Sequence, residues 1–199
     1  MNPHRVQVKF FLDPADGAGI DLAKFSPVFQ RWIQDKALEG QLVDVADYRH
    51  VPEGPGVVLI GHDSDYSMER RDGRLGLLYT RKRHGETTDL QGQLRAALRL
   101  ALTACQLLQT ESAFTPRLKF SADEIEFRFP DRLQLPNKPE TFDLVKNDIR
   151  AVLDELYGED AAFALPVRQD SRYVFTVRAR AEDSTSINKL LFQAEAVKS

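Results

Sequence analysis

The chain has 199 residues, of which 42% are hydrophobic and 29% charged, and a net charge of −3. This balance excludes a disordered chain and leaves room for one large domain or two small ones. It also speaks against a dedicated nucleic-acid binder, whose affinity comes largely from neutralising phosphates.

Arg5 to Leu12 reads as a first strand, with Val6, Val8 and Phe10 alternating against Gln7 and Lys9. Asp13, Pro14, Asp16, Gly17 and Gly19 break it. Ser26-Pro27 is a helix start, a capping serine followed by a proline that gives up no needed amide. Val28, Phe29, Trp32, Ile33 and Ala37 then form one apolar stripe, and Gly40 stops it. Leu42 to Tyr48 and Val57 to Ile60 are the next strands. The unbroken apolar run Val57-Val58-Leu59-Ile60 is expected in the middle of the sheet, covered on both faces. Asp72-Gly73 suits a two-residue hairpin turn, which places Met68 opposite Leu77 and Tyr66 opposite Tyr79.

Thr88 and Gln91 form a capping box opening the longest helix, on which Leu90, Leu94, Ala97, Leu98, Ala101, Leu102, Cys105 and Leu108 repeat at helical spacing. Thr110 to Pro116 is polar and proline-ended, the expected connector. Beyond it, Leu118 to Phe120 and Ile125 to Phe129 alternate as two strands joined through Ala122 to Glu124. A helix carries Phe142, Val145, Ile149, Val152, Leu153 and Leu156 and ends at Gly158. Phe163 to Val167 and Tyr173 to Arg180 pair around Gln169 to Ser171, and Ser184 caps a last helix. The fold class is therefore α+β, mostly antiparallel sheets packed by helices, in the order βαβββα then ββαββα. The expected division is residues 1–112 and 117–199, with one continuous domain as the alternative.

Two segments are candidates for function. Between Asp44 and Asp65 the chain gathers acids and two of its four histidines, and His50, His62, Asp63 and Asp65 have the chemistry of divalent transition-metal ligands. Their spacing matches no metal motif, and turn-stabilising aspartates with solvated histidines are the plainer reading. From Glu69 to Arg83, the cations Arg70, Arg71, Arg74, Arg81, Lys82 and Arg83 face only Glu69 and Asp72. Guanidinium forks suit phosphate or carboxylate, although charge on a strand edge also discourages unwanted pairing.

Gly17-Ala18-Gly19 and Gly54-Pro55-Gly56 match no phosphate-binding loop, so no bound cofactor is assigned. Ser64, Ser67 and Ser121 lack a nucleophile-elbow setting. The single cysteine, Cys105, sits in an apolar helix stripe, and no catalytic residue is assigned. No run is apolar enough to span a membrane, and no export signal precedes the first strand, so a cytoplasmic protein is expected. The leading expectation is a non-catalytic module binding an anionic small molecule or a protein partner. The alternatives are a metal-dependent hydrolase of an anionic substrate and a structural subunit of a larger assembly.

Overall fold

The computed structural model describes residues 3, 5–13, 19–83, 89–158, 161–164, 172–181 and 185–196. Its strands are β1 (Val6–Leu12), β2 (Leu42–Tyr48), β3 (Gly56–Gly61), β4 (Ser64–Glu69), β5 (Gly76–Arg81), β6 (Phe120–Phe129), β7 (Ala161–Ala164) and β8 (Phe175–Ala181). Its helices are α1 (Phe25–Asp35), α2 (Leu90–Thr110), α3 (Pro139–Tyr157) and α4 (Ile187–Ala196). The fold is α+β. Eight strands form one antiparallel sheet in the order β2-β3-β4-β5-β1-β6-β8-β7.

The first strand joins the two segments. β1 pairs with β5 on one side and with β6 on the other, so residues on both sides of the connector share one sheet and one core. Strands from both sides of the connector thus lie in one continuous sheet. Each segment still contributes an unbroken block of strands, which is why the sequence reads as two halves.

All four helices cover one face. α1 lies over β2 and β3, α2 over β1 and β5, α3 against β7 and β8, and α4 against β6. Alternation directs Val6, Val8 and Phe10 of β1 into this layer, with Leu77 and Tyr79 of β5 and Ile125, Phe127 and Phe129 of β6. Asp89 caps α2 by accepting from the Gly92 amide at 2.8 Å. Thr88, proposed above for that role, lies outside the described residues, as do Gly17, the turn Gln169 to Ser171, and Ser184. Asp21, not Ser26, provides the cap ahead of α1, in a short 3-10 turn running directly into the helix. Lys36, not Gly40, ends α1 in the left-handed region at φ 51°.

The hairpin forms in the expected register, with Met68 opposite Leu77 and Tyr66 opposite Tyr79. Asp72 and Gly73 both take positive φ, 57° and 73°, as a two-residue turn of this hand requires. Three expectations are corrected. β3 is second from the edge and the middle of the sheet belongs to β5 and β1; Val58 and the partly buried Ile60 face the side on which, among the described residues, no helix lies. Residues 118–129 hold one strand, not a hairpin. Ala122 to Glu124 stay within the strand, and the break becomes a bulge where Phe10 faces Ile125 and Leu12 faces Phe120. The Tyr157 hydroxyl donates to the Ala122 carbonyl there, at 2.7 Å. The observed order is thus βαββββα then βαββα.

Among the described residues the sheet's other face carries no helix, and its register brings opposite charges together. Lys9 of β1 stands opposite Glu126 of β6, which stands opposite Arg178 of β8. Lys9 is fully buried, and its ammonium reaches Glu69 at 2.6 Å and the Arg74 carbonyl at 2.8 Å. Glu69 also accepts from Arg128 at 3.0 Å, and Arg128 and Arg178 both hold Glu126. The path from Lys9 to Glu69 crosses Gly76, where a Cβ would sit 2.8 Å from Lys9 Cε and collide with the Phe10 carbonyl. Phe11, also on this face, is sealed by Arg74, whose guanidinium carbon lies 3.8 Å from the ring centre, with Lys9 and Arg178 further out.

Burial works to raise the Glu69 pKa, but Lys9 and Arg128, with bonds from Lys9 and the Arg71 amide, outweigh it and hold the carboxyl below its ordinary value. Glu124 is lowered in the same way, burial being outweighed by Arg74 and Arg180. Carboxyls depressed in the folded state contribute stability above their unfolded pKa, near 4.5, and lose it as the pH falls through the folded values. Urea midpoints should therefore be flat near neutrality and drop below about pH 4.5. Glu69→Gln should cost roughly 3 kcal/mol at pH 7 and flatten the acid limb. An unchanged acid limb in that variant would show that the network is not what titrates.

Candidate functional site

The two sequence-derived clusters are redistributed by the strands that carry them. His50 follows the end of β2 at Tyr48, which pairs with Gly56, whereas His62 follows the other end of β3 at Gly61, which pairs with Leu42. At roughly 3.3 Å per residue, the length of β3 separates them by about 20 Å. They do not form one metal centre. Among the described residues no group of three or more His, Cys, Asp and Glu side chains is placed to hold a metal ion.

His62 has other partners. Its Nδ1 lies 2.9 Å from Asp63 Oδ1 and its Nε2 lies 2.9 Å from Arg83 Nη1. A guanidinium only donates, so Nε2 accepts and Nδ1 carries the proton given to Asp63. The lone pair a metal would need thus faces a cation. Asp65 is taken by Lys82 at 2.7 Å, and the same ammonium reaches the Gly61 carbonyl.

The basic segment divides in the same way. Arg70, Arg71 and Arg74 lie at the turn end of the hairpin, where Arg70 donates to the Ile20 carbonyl and Arg74 pairs with Glu124 at 2.7 Å. Arg81, Lys82 and Arg83 lie at the opposite end, beside His62 and Asp63. There a cleft of about 360 Å³ opens between the end of β4 and β5, the loop before β2, and one side of α2. Arg81, Arg83 and Arg99 line it together with Glu39 and Asp63. Three guanidiniums meet two carboxylates, leaving an excess of positive charge.

Local structure explains the convergence. Leu77, Tyr79 and Arg81 share the helix face of β5, and Ser64 stands directly opposite Arg81. The apolar stripe of α2 turns Leu98 and Leu102 into the core, which leaves Arg99 at the flank, where it holds Glu39 at 2.7 Å. Arg81 donates through Nε to the Arg83 carbonyl at 3.1 Å, keeping its remaining donors available. Tyr79 is buried at the cleft wall, and burial pushes its phenol up, with Ser64 pulling the other way. It remains a protonated donor near neutrality. Tyr66, edge-on to Tyr79 with ring centres 5.2 Å apart, has a buried hydroxyl without a hydrogen-bond partner among the described residues.

Arg99, Tyr79 and Glu39 were not singled out from the sequence. Arg99 looked like an interruption of an apolar helix and Tyr79 like a cross-strand partner, and only the packing of α2 on β5 brings them together. Conversely, Asp44 and Asp47 serve the edge strand, Asp44 accepting from the Val45 amide and Asp47 holding Arg49. Cys105 is fully buried, which raises its pKa and removes it as a nucleophile. No family model and no curated protein sequence matches the chain, which leaves the geometry of the cleft as the ground for function.

The His62 geometry has a spectroscopic consequence. Nitrogen-15 correlation spectra should show the Nδ1–H tautomer, and Arg83→Ala should shift the population toward Nε2–H. A wild-type Nε2–H tautomer would contradict the Arg83 contact.

Proposed function

We propose that the protein is a non-catalytic binding module that holds a small anion, a phosphate or carboxylate, in the cleft beside α2. The observation that carries this reading is the convergence of Arg81 and Arg83, at the end of β5, with Arg99 of α2 on one cleft of about 360 Å³. Guanidinium forks match the paired oxygens of such anions, and a cleft concentrates their field. The volume suits a small molecule better than a protein surface. Ser64 and Tyr79 add hydroxyls at the same wall, which supports recognition by hydrogen bonds as well as charge.

A cytoplasmic setting belongs to the same reading. The single cysteine rules out an intramolecular disulfide, and among the described residues no helix is long and apolar enough to cross a membrane.

Calorimetric titration with inorganic phosphate and with succinate tests the proposal. One of the two should bind at low ionic strength, and binding should weaken as salt rises from about 0.01 M to about 1 M, over which the screening length falls roughly from 30 to 3 Å. Arg81→Ala and Arg99→Ala should each weaken it by about tenfold, the scale of one charge-assisted hydrogen bond. Absence of binding by both anions, or equal affinity in the variants, would refute the reading.

A further inference from the structure

On the sheet's open face the strand register lays out a gradient of polarity. One row runs Val58, Ser67, Leu78 and Lys9 across β3, β4, β5 and β1, and the next runs Ile60, Asp65, Thr80 and Gln7. The β3 end is apolar, the middle carries hydroxyls, and the β1 end passes into the charged network. Val58 and Leu78 are buried yet lie outside the core beneath the helices. Over this floor is a trough of about 420 Å³, walled at one side by Tyr48 and Pro55 and approached from the hairpin turn by Arg71.

The charges in the trough are unevenly satisfied. Asp65 is held by Lys82, and Glu69 by Lys9 and Arg128, so both carboxylates of the lining are neutralised. Arg71 uses its amide to bind Glu69, while its guanidinium has no ion-pair partner among the described residues. The trough therefore presents an apolar floor at one end and an uncommitted fork at the other. With both lining carboxylates already paired, one carboxylate of a ligand matches the one fork.

We propose that this trough is a second ligand site, for a small amphiphilic carboxylate whose alkyl or aryl body lies over Val58, Ile60 and Leu78 and whose carboxylate pairs with Arg71. Such a molecule covers the partly exposed Ile60 beside the buried Val58 and Leu78 and supplies a negative charge to Arg71. Ser67 and Thr80 lie between the two ends and offer hydroxyls to a polar substituent, Thr80 already accepting from Gln7 at 3.0 Å. The site lies on the face opposite α2 and is independent of the cleft and its anion.

The test is titration with octanoate, followed by calorimetry and by amide shifts of Ser67, Leu78 and Thr80. Octylamine and inorganic phosphate are the controls. Octanoate should bind and shift those amides, and octylamine should not bind there. Arg71→Glu should weaken octanoate by about tenfold or more. Arg81→Ala, in the cleft, should leave octanoate binding unchanged. Because Arg71 is exposed, its variants should fold, and Arg71→Gln provides a milder second substitution with a smaller loss in the same direction. No octanoate binding, equal binding of octylamine, indifference to both Arg71 variants, or loss on Arg81→Ala would each overturn the proposal.

Discussion

A fully buried ammonium is the constraint on which the rest of this structure depends. Lys9 stands on β1, near the middle of the sheet, on the face opposite the four helices. Taking an ion out of water costs several kcal/mol, which is recovered only with close partners and hydrogen bonds. Burial lowers the Lys9 pKa, while Glu69 pulls it back up. Glu69 must then lie two strands away, Gly76 must lack a side chain between them, and Glu126 must stand opposite on β6. These are register requirements. Sliding β1 by one residue would turn Lys9 into the helix-covered core and Val8 and Phe10 out of it.

The same network separates the two faces chemically. Beneath the helices the sheet is apolar except where β4 begins and β5 ends, where Ser64 and Arg81 emerge beside Arg99 and make the cationic cleft. On the open face most of the ion pairs occupy the β1, β6 and β8 side, while the β3 to β5 side carries Val58, Ile60 and Leu78 beside the paired Asp65 and Glu69 of β4. The chain is acidic overall, yet the cleft carries Arg81, Arg83 and Arg99 and the trough carries Arg71. Net charge alone gives no account of that distribution, because a field depends on where charges converge.

How much was legible in the sequence depended on how local each signal was. Asp72-Gly73 fixed its hairpin and the Tyr66 to Tyr79 register, because turn residues with positive φ determine what pairs beside them. Helical periodicity found all four helices for the same local reason. The run Val57 to Ile60 was misplaced toward the middle of the sheet because an apolar strand covered by side chains and loops looks like one covered by helices. Arg70 to Arg83 looked like one basic patch because the sequence does not show that β5 carries its two ends apart. Lys9 read only as the polar alternate of β1, and Glu126 and Arg128 carried no signal, since only the pairing of β1 with β6, more than a hundred residues apart, and the reach to Glu69 across β5 set these charges against one another. Arg99 was invisible for a similar reason, its partner Glu39 lying on a loop sixty positions away.

β1 therefore carries both the junction of the two segments and the buried charge that fixes their register. Equilibrium unfolding followed simultaneously by fluorescence of Trp32, the only tryptophan and part of α1, and by backbone signals assigned to β6 and β8 tests this most directly. The account predicts coincident midpoints, and a common shift of both on Lys9→Met. Two separated transitions, or a shift confined to one probe, would contradict it and make the segments independent units.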